Sequence, residues 1–199
     1  MSTLIFAIVG EGKAEQLMQV AKKAGSTGGT ILSGRSTASN STLCLLGLGD
    51  THTEILLTLV SDAAQKPVWD ALSHTTVRGM LACVPALWDD ASPIGEYESQ
   101  WDMVNIICMS GYADDIMRAA RKAGAGGGTI VEGRGTAEAS DLAFFGSALV
   151  PGKEMLFVMV PKNLTDKVLH SINNLPCMQQ KGSGIAFTYP LSAVAKLGK

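Results

Sequence analysis

This 199-residue sequence predicts an α+β fold: two tandem ferredoxin-like (βαββαβ) domains, each an antiparallel four-stranded sheet with two helices on one face. Three observations carry that expectation. KAGSTGGTILSGRSTA (23–38) returns as KAGAGGGTIVEGRGTA (122–137), with eleven of sixteen positions identical at an offset of 99. Short runs rich in Ile, Val and Leu recur around it in the same order, and so does an apolar spacing of 3.6-residue period.

Taken in order, LIFAIV (4–9) and MVNIIC (103–108) read as first strands. Ala14, Leu17, Met18 and Ala21 fall at i, i+3, i+4 and i+7, and Ala113, Ile116, Met117 and Ala120 repeat that helical face. Gly25 and Gly124 follow, placed to end each helix in the left-handed conformation. TIL and TIV then begin a second strand, and EILLTLV (54–60) and EMLFVMV (154–160) a third. Ala64, Val68 and Leu72 match Leu164, Val168 and Ile172 as a second helix; Pro67 is tolerated only in an opening turn, so the first copy is expected to start near Lys66. GMLACVP (79–85) and GIAFTYP (184–190) close the halves. The offset drifts from 99 to 100 to 105 because loops absorb insertions and elements do not. Residues 1–87 and 102–199 are the expected domains, joined by an acidic linker over 88–101.

A ferredoxin-like sheet leaves one face uncovered by its own helices, yet LIFAIV and MLFVMV are apolar on both faces. Another copy of the domain, from the same chain or a neighbour, is expected to cover it.

Composition narrows function. A net charge of −2 and a pI near 5.9 argue against nucleic-acid binding, and Trp69, Trp88 and Trp101 are not interleaved with basic residues. Cys44, Cys83, Cys108 and Cys177 are dispersed, as reduced thiols of a cytoplasmic protein would be. No apolar run is long enough to insert in a membrane. His52, His74 and His170 are scattered, so no metal site is expected. Walker, Rossmann and GxSxG patterns are absent, and the duplicated acids Glu54 and Glu154 begin strands, so no catalytic residue is assigned and the protein is expected not to be an enzyme. Asp114 and Asp115 sit in the first turn of a helix, where its dipole explains them.

The repeated glycines serve first as helix-to-strand connections. GRST (34–37) and GRGT (133–136) then stand at the roots of loops of about 16 residues, long enough to be functional. Arg35 and Arg134 there are placed either to clamp an oxyanion or to make a rim salt bridge. Lys181, Gly182 and Gly184 in QQKGSGI offer backbone N–H groups beside an ammonium, whereas the first half has only Arg78 and Gly79. The halves differ in charge: −4 over 1–99, from six bases and ten acids, and +2 over 100–199, from ten bases and eight acids. The second half is therefore expected to supply the stronger phosphate contacts.

AG followed by GGT, a strand, GRGT, a long loop, an apolar strand and a glycine turn before the last strand resembles the PII signalling proteins, nitrogen regulatory protein P-II and its PII-like relatives. The resemblance implies a trimer that binds adenine nucleotides (ATP, ADP or AMP) as effectors, with no obligatory cofactor. It would bind them in clefts between neighbouring domains and signal to a target enzyme, transporter or channel through the long loop. Carried over by position, Thr30 and Thr129 lie near the base. Gly34, Arg35, Thr37, Gly133, Arg134, Gly135 and Thr136 form the loop roots. Lys181, Gly182, Ser183 and Gly184 form the phosphate-holding turn, with Arg78 and Gly79 as its weaker counterpart. The loop tyrosine common in that family is missing, since Tyr97, Tyr112 and Tyr189 lie outside both loops. With two domains per chain, a homotrimer would stack two three-domain rings. A small enzyme or a CutA-like structural or metal-tolerance protein on the same scaffold is the alternative.

Overall fold

The computed structural model describes residues 2–37, 51–86, 98–134, 143–144, 147–148, 152–179 and 184–198. The first half runs β1 (Ser2–Gly10), α1 (Ala14–Lys23), β2 (Thr30–Ser36), β3 (Thr51–Ser61), α2 (Asp62–Ser73) and β4 (Gly79–Ala86). The second runs β5 (Trp101–Met109), α3 (Ala113–Lys122), β6 (Thr129–Arg134), a small hairpin of β7 (Ala143–Phe144) and β8 (Ser147–Ala148), and β9 (Gly152–Pro161). It ends with α4 (Thr165–Asn173), the one-turn α5 (Pro176–Gln179), β10 (Gly184–Leu191) and β11 (Ala193–Leu197). The fold is α+β, as expected, and the strand–helix–strand–strand–helix–strand order occurs twice.

The first helices stop where the glycines dictate. Gly25 (φ 112°) and Gly124 (φ 113°) are left-handed. Behind them the N–H groups of Ser26 and Ala125 reach back to the carbonyls of Ala21 and Ala120, both at 3.0 Å. Those of Gly25 and Gly124 bond Lys22 and Arg121, the paired bonds of a Schellman cap. One boundary differs from expectation. Helix α2 begins at Asp62, a turn before Lys66, so Pro67 lies in its second turn. The bond Pro67 cannot donate is the one to Ala63 in the opening turn, and the helix keeps Val68 and Leu72 fully buried on its inner face.

Among the described residues, nine strands form one antiparallel sheet in the order β10-β5-β9-β6-β2-β3-β1-β4-β11. Each half supplies a quartet, β2-β3-β1-β4 and β6-β9-β5-β10, and the quartets meet through β2 and β6 at Gly34↔Val131, Arg35↔Ile130 and Ser36↔Thr129. Alternation along β1 sends Ile5, Ala7 and Val9 into a core with α1 and α2, while Leu4, Phe6 and Ile8 point to the opposite face. Val104, Ile106 and Cys108 of β5 pack likewise beneath α3 and α4.

The opposite faces of the two quartets form a third core. Phe6, Ile55 and Ala82 of the first half meet Met103, Phe157 and Leu191 of the second, with the Phe6 and Phe157 rings 6.1 Å apart. The apolar second face is thus covered from within the chain. At Ser192 the strand turns a corner: β10 pairs with β5, while β11 crosses to pair with β4 of the first half. The Ser192 N–H and hydroxyl both donate to the Cys83 carbonyl there, at 2.9 and 3.2 Å. No helix among the described residues is long and apolar enough to cross a membrane.

Candidate functional site

The seam between the quartets is where the repeated motif converges. Gly34 allows the close approach: a Cβ there would stand 2.5 Å from the Ile130 carbonyl oxygen of β6. Strand alternation then turns Arg35 toward the helix side of the sheet, across the seam. Its Nη1 and Nη2 donate to Oδ1 and Oδ2 of Asp114 in α3 at 3.0 and 2.9 Å, a two-pronged ion pair between the halves. Glu154 Oε1 lies 3.8 Å from the same guanidinium. A cavity of about 250 Å³ adjoins it, lined by Ser33, Gly34, Arg35, His52, Ile130 and Glu132.

Glu54 and Glu154 hold the helix starts. Glu154 Oε2 accepts the N–H groups of Gly111 and Ala113 at 3.0 and 3.1 Å, and Glu54 Oε2 accepts that of Ala14 at 2.9 Å. A carboxylate against the first-turn N–H groups is favoured by their unmet donors and by the helix dipole. Opposite Glu154 in register sits Cys108, whose pKa burial first and the Glu154 carboxylate second push up to about 12.

The glycine turn and the GRxT motif are partners across the seam. After β2, the Thr37 N–H donates to the Gly128 carbonyl at 2.9 Å, and the Thr37 hydroxyl donates to that oxygen at 3.0 Å while accepting the Gly128 N–H at 2.9 Å. In the first half the turn is pinned internally: the Thr58 hydroxyl donates to the Gly28 carbonyl at 2.6 Å and meets the Ser26 hydroxyl at 2.7 Å. Thr30 is exposed there, beside a cavity of about 680 Å³ lined by Leu4, Gly25, Thr27, Gly28, Gly29 and Leu57 among others. Thr129, its counterpart, is buried.

Gly34, Arg35, Thr37 and Thr129 therefore come together at the seam, and Gly133 and Arg134 lie exposed at the end of β6. Arg78 and Gly79 do not join them. They sit at β4, three strands from β2 in the same quartet, roughly 14 Å at ordinary strand spacing. Gly79 serves strand pairing, since a Cβ would stand 2.2 Å from the Ile8 carbonyl oxygen, and exposed Arg78 lies against Gly198 beyond β11. Gly184 opens β10, where a Cβ would stand 2.7 Å from the Ile107 oxygen. Gly135, Thr136, Lys181, Gly182 and Ser183 lie outside the described residues, as do most of both long loops and linker residues 88–97.

Asp114 corrects the reading from the helix dipole, because the Arg35 guanidinium engages it directly. Its chain separation of 79 residues from Arg35 hid the pairing; the one signal was the acid Glu15 at the same place in the first repeat. Among the described residues, no group of three or more His, Cys, Asp or Glu side chains is placed to hold a metal ion.

No family model matches this sequence, and no curated protein does. Among solved structures it is similar to Arabidopsis thaliana PII bound to citrate, at 22% identity over 47% of this chain and 76% of that one, with a TM-score of 0.35. It is also similar to CPII from Thiomonas intermedia K12 bound to ADP, AMP and acetate, at 20% identity over 50% and 89%, with a TM-score of 0.33. A third is the B. subtilis GlnK–ATP complex, at 17% identity over 52% and 86%, with a TM-score of 0.35.

Proposed function

We propose that this chain is a non-enzymatic, PII-like regulatory protein that takes a small anionic effector, an adenine nucleotide, at the seam between its halves. It would signal to a partner protein through the loops after β2 and β6. The observation that carries the reading is the two-pronged Arg35–Asp114 pair. Arg35 presents to a carboxylate of the other half the same fork that guanidinium presents to phosphate. A phosphate taking the place of Asp114 would free α3 from β2 at the root of a long loop, so that occupancy of the site biases the arrangement of the halves. The sequence resemblance supports the same reading, and the +2 charge of residues 100–199 suits an anion.

The reading is tested by calorimetry with ATP, ADP and AMP, the nucleotides named in the CPII and GlnK structures. Arg35→Ala is expected to weaken binding about tenfold or more, and Asp114→Asn to tighten it by removing the competing carboxylate. No binding of any of the three nucleotides would reject the reading, and turnover of the nucleotide would replace it with an enzyme.

The resemblance also carries a homotrimer. Since the apolar sheet faces already cover one another inside the chain, such contacts would be built on sheet edges or loops. A light-scattering mass of three 20.8 kDa chains is expected, and a mass of one chain would exclude the trimer.

A further inference from the structure

The third core, between the two quartets, is built mainly from apolar side chains, and a carboxamide is buried in it. Asn105 lies at the middle of β5, fully buried, and neither its amide nitrogen nor its amide oxygen has a hydrogen-bond partner among the described residues. Register puts it on the inner face: Phe157 of β9 and Phe187 of β10 stand directly opposite it, and Met103 precedes it on the same side. The first half has Phe6 at the equivalent place, packed on Phe157. A carboxamide there leaves two strong hydrogen-bonding groups unmet in an apolar setting that a phenylalanine would fill without loss.

The neighbouring polar group is the Tyr189 phenol. Burial raises its pKa and the Asn105 side chain lowers it, so the two side chains sense each other although the amide is not in hydrogen-bonding geometry with it. Tyr189 and Phe187 stand on the same face of β10, with ring centres 6.5 Å apart. That strand borders the interior on its outer side: Ile185 and Phe187 are 58% and 39% exposed, although they share the face that buries Met103 and Phe157. Aromatic walls, a donor beside an acceptor, and a partly exposed edge strand form one arrangement.

We propose that the space between the sheets beside Asn105 and Tyr189 is a binding site for a flat heteroaromatic molecule of the nucleobase type. The Asn105 carboxamide would read its hydrogen-bonding edge, and Phe157, Phe187 and Tyr189 would flank its ring. A carboxamide presents donor and acceptor side by side, the complement of a base edge, and aromatic rings accept the base by stacking. Entry is by rotation of Phe187 and Ile185 on the edge strand. The site needs no phosphate contact and is independent of Arg35, which points to the helix side of the sheet.

The test titrates 2-aminopurine, a fluorescent base without phosphate, into the full chain, with thermal melts in parallel. Wild type is expected to quench the probe saturably. Asn105→Leu is expected to weaken binding about tenfold or more, while raising Tm by roughly 2–4 °C because an unmet buried amide is removed. Tyr189→Phe, which keeps the packing, is expected to weaken binding about threefold with Tm little changed. The proposal is overturned if wild type shows no saturable quenching, or if either variant binds the base as wild type does. It also fails if Asn105→Leu lowers Tm, as it would were a buried water completing the amide's hydrogen bonds.

Discussion

Cys83 and Cys108 are buried on either side of the molecule, and burial pushes both thiol pKa values up to about 12 from 9.0. The folded protein therefore keeps these protons where the unfolded chain releases them. Since the folded values are the higher ones, the associated stability is complete below pH 9 and declines as pH rises toward 12. Urea midpoints are expected to fall across that interval, and the double substitution Cys83→Val, Cys108→Val to flatten the fall. An unchanged slope in that variant would assign it to other groups. At this scale the sequence was partly legible. The apolar runs GMLACVP and MVNIIC around these cysteines are consistent with their burial, and the matched acids Glu54 and Glu154 are visible as strand starts. That they hold helix N-termini was not visible, because 40 residues separate Glu54 from Ala14 and no local pattern records the contact. Asn105 was in plain view opposite Phe6 in the aligned strands, but it was hidden by the apolar run around it.

Among the elements, the helix-to-strand turns show how two copies of one motif diverge. The second-half turn is clasped by Thr37 of the first half; the first-half turn is held by its own Ser26 and Thr58, where the second half has Ala125 and Val158. Thr37→Val keeps the shape and removes both bonds of the hydroxyl, leaving the Gly128 N–H unmet. That is expected to cost about 1–3 kcal/mol in urea denaturation. A loss of only a few tenths would mean that water replaces the hydroxyl at Gly128. Period and punctuation made most elements readable. The 3.6-residue spacing and the terminal glycines placed α1 and α3, while the Pro67 rule misplaced the start of α2 because core packing of Val68 and Leu72 outweighs one missing bond. Strand β11 carried no signal of its own, since its partner is β4 of the other half.

For the molecule as a whole, a demand visible in the sequence, that apolar strands be covered on both faces, is met by two half-sheets closing on each other. The strand runs recorded the need for cover but not its source, because apolar periodicity carries no information about which copy lies opposite. The same closure brings the first-half loop root against the start of β6, with Arg35 of the first half on Asp114 of the second. Arg35 thereby makes a salt bridge, one of the two roles its place in the motif allows, and competition for its guanidinium is what the proposed regulation turns on.

The crossing of β11 to the first half has a mechanical consequence. β1 and β11 flank β4 in parallel, with Ser2 beside Ala86 at one end of that strand and Leu197 beside Gly79 at the other. Tension applied to the two termini would load both ladders in shear, every rung at once, rather than peeling them apart from one end. Strand β11 would thus hold β1 against extension through the β4 strand they share.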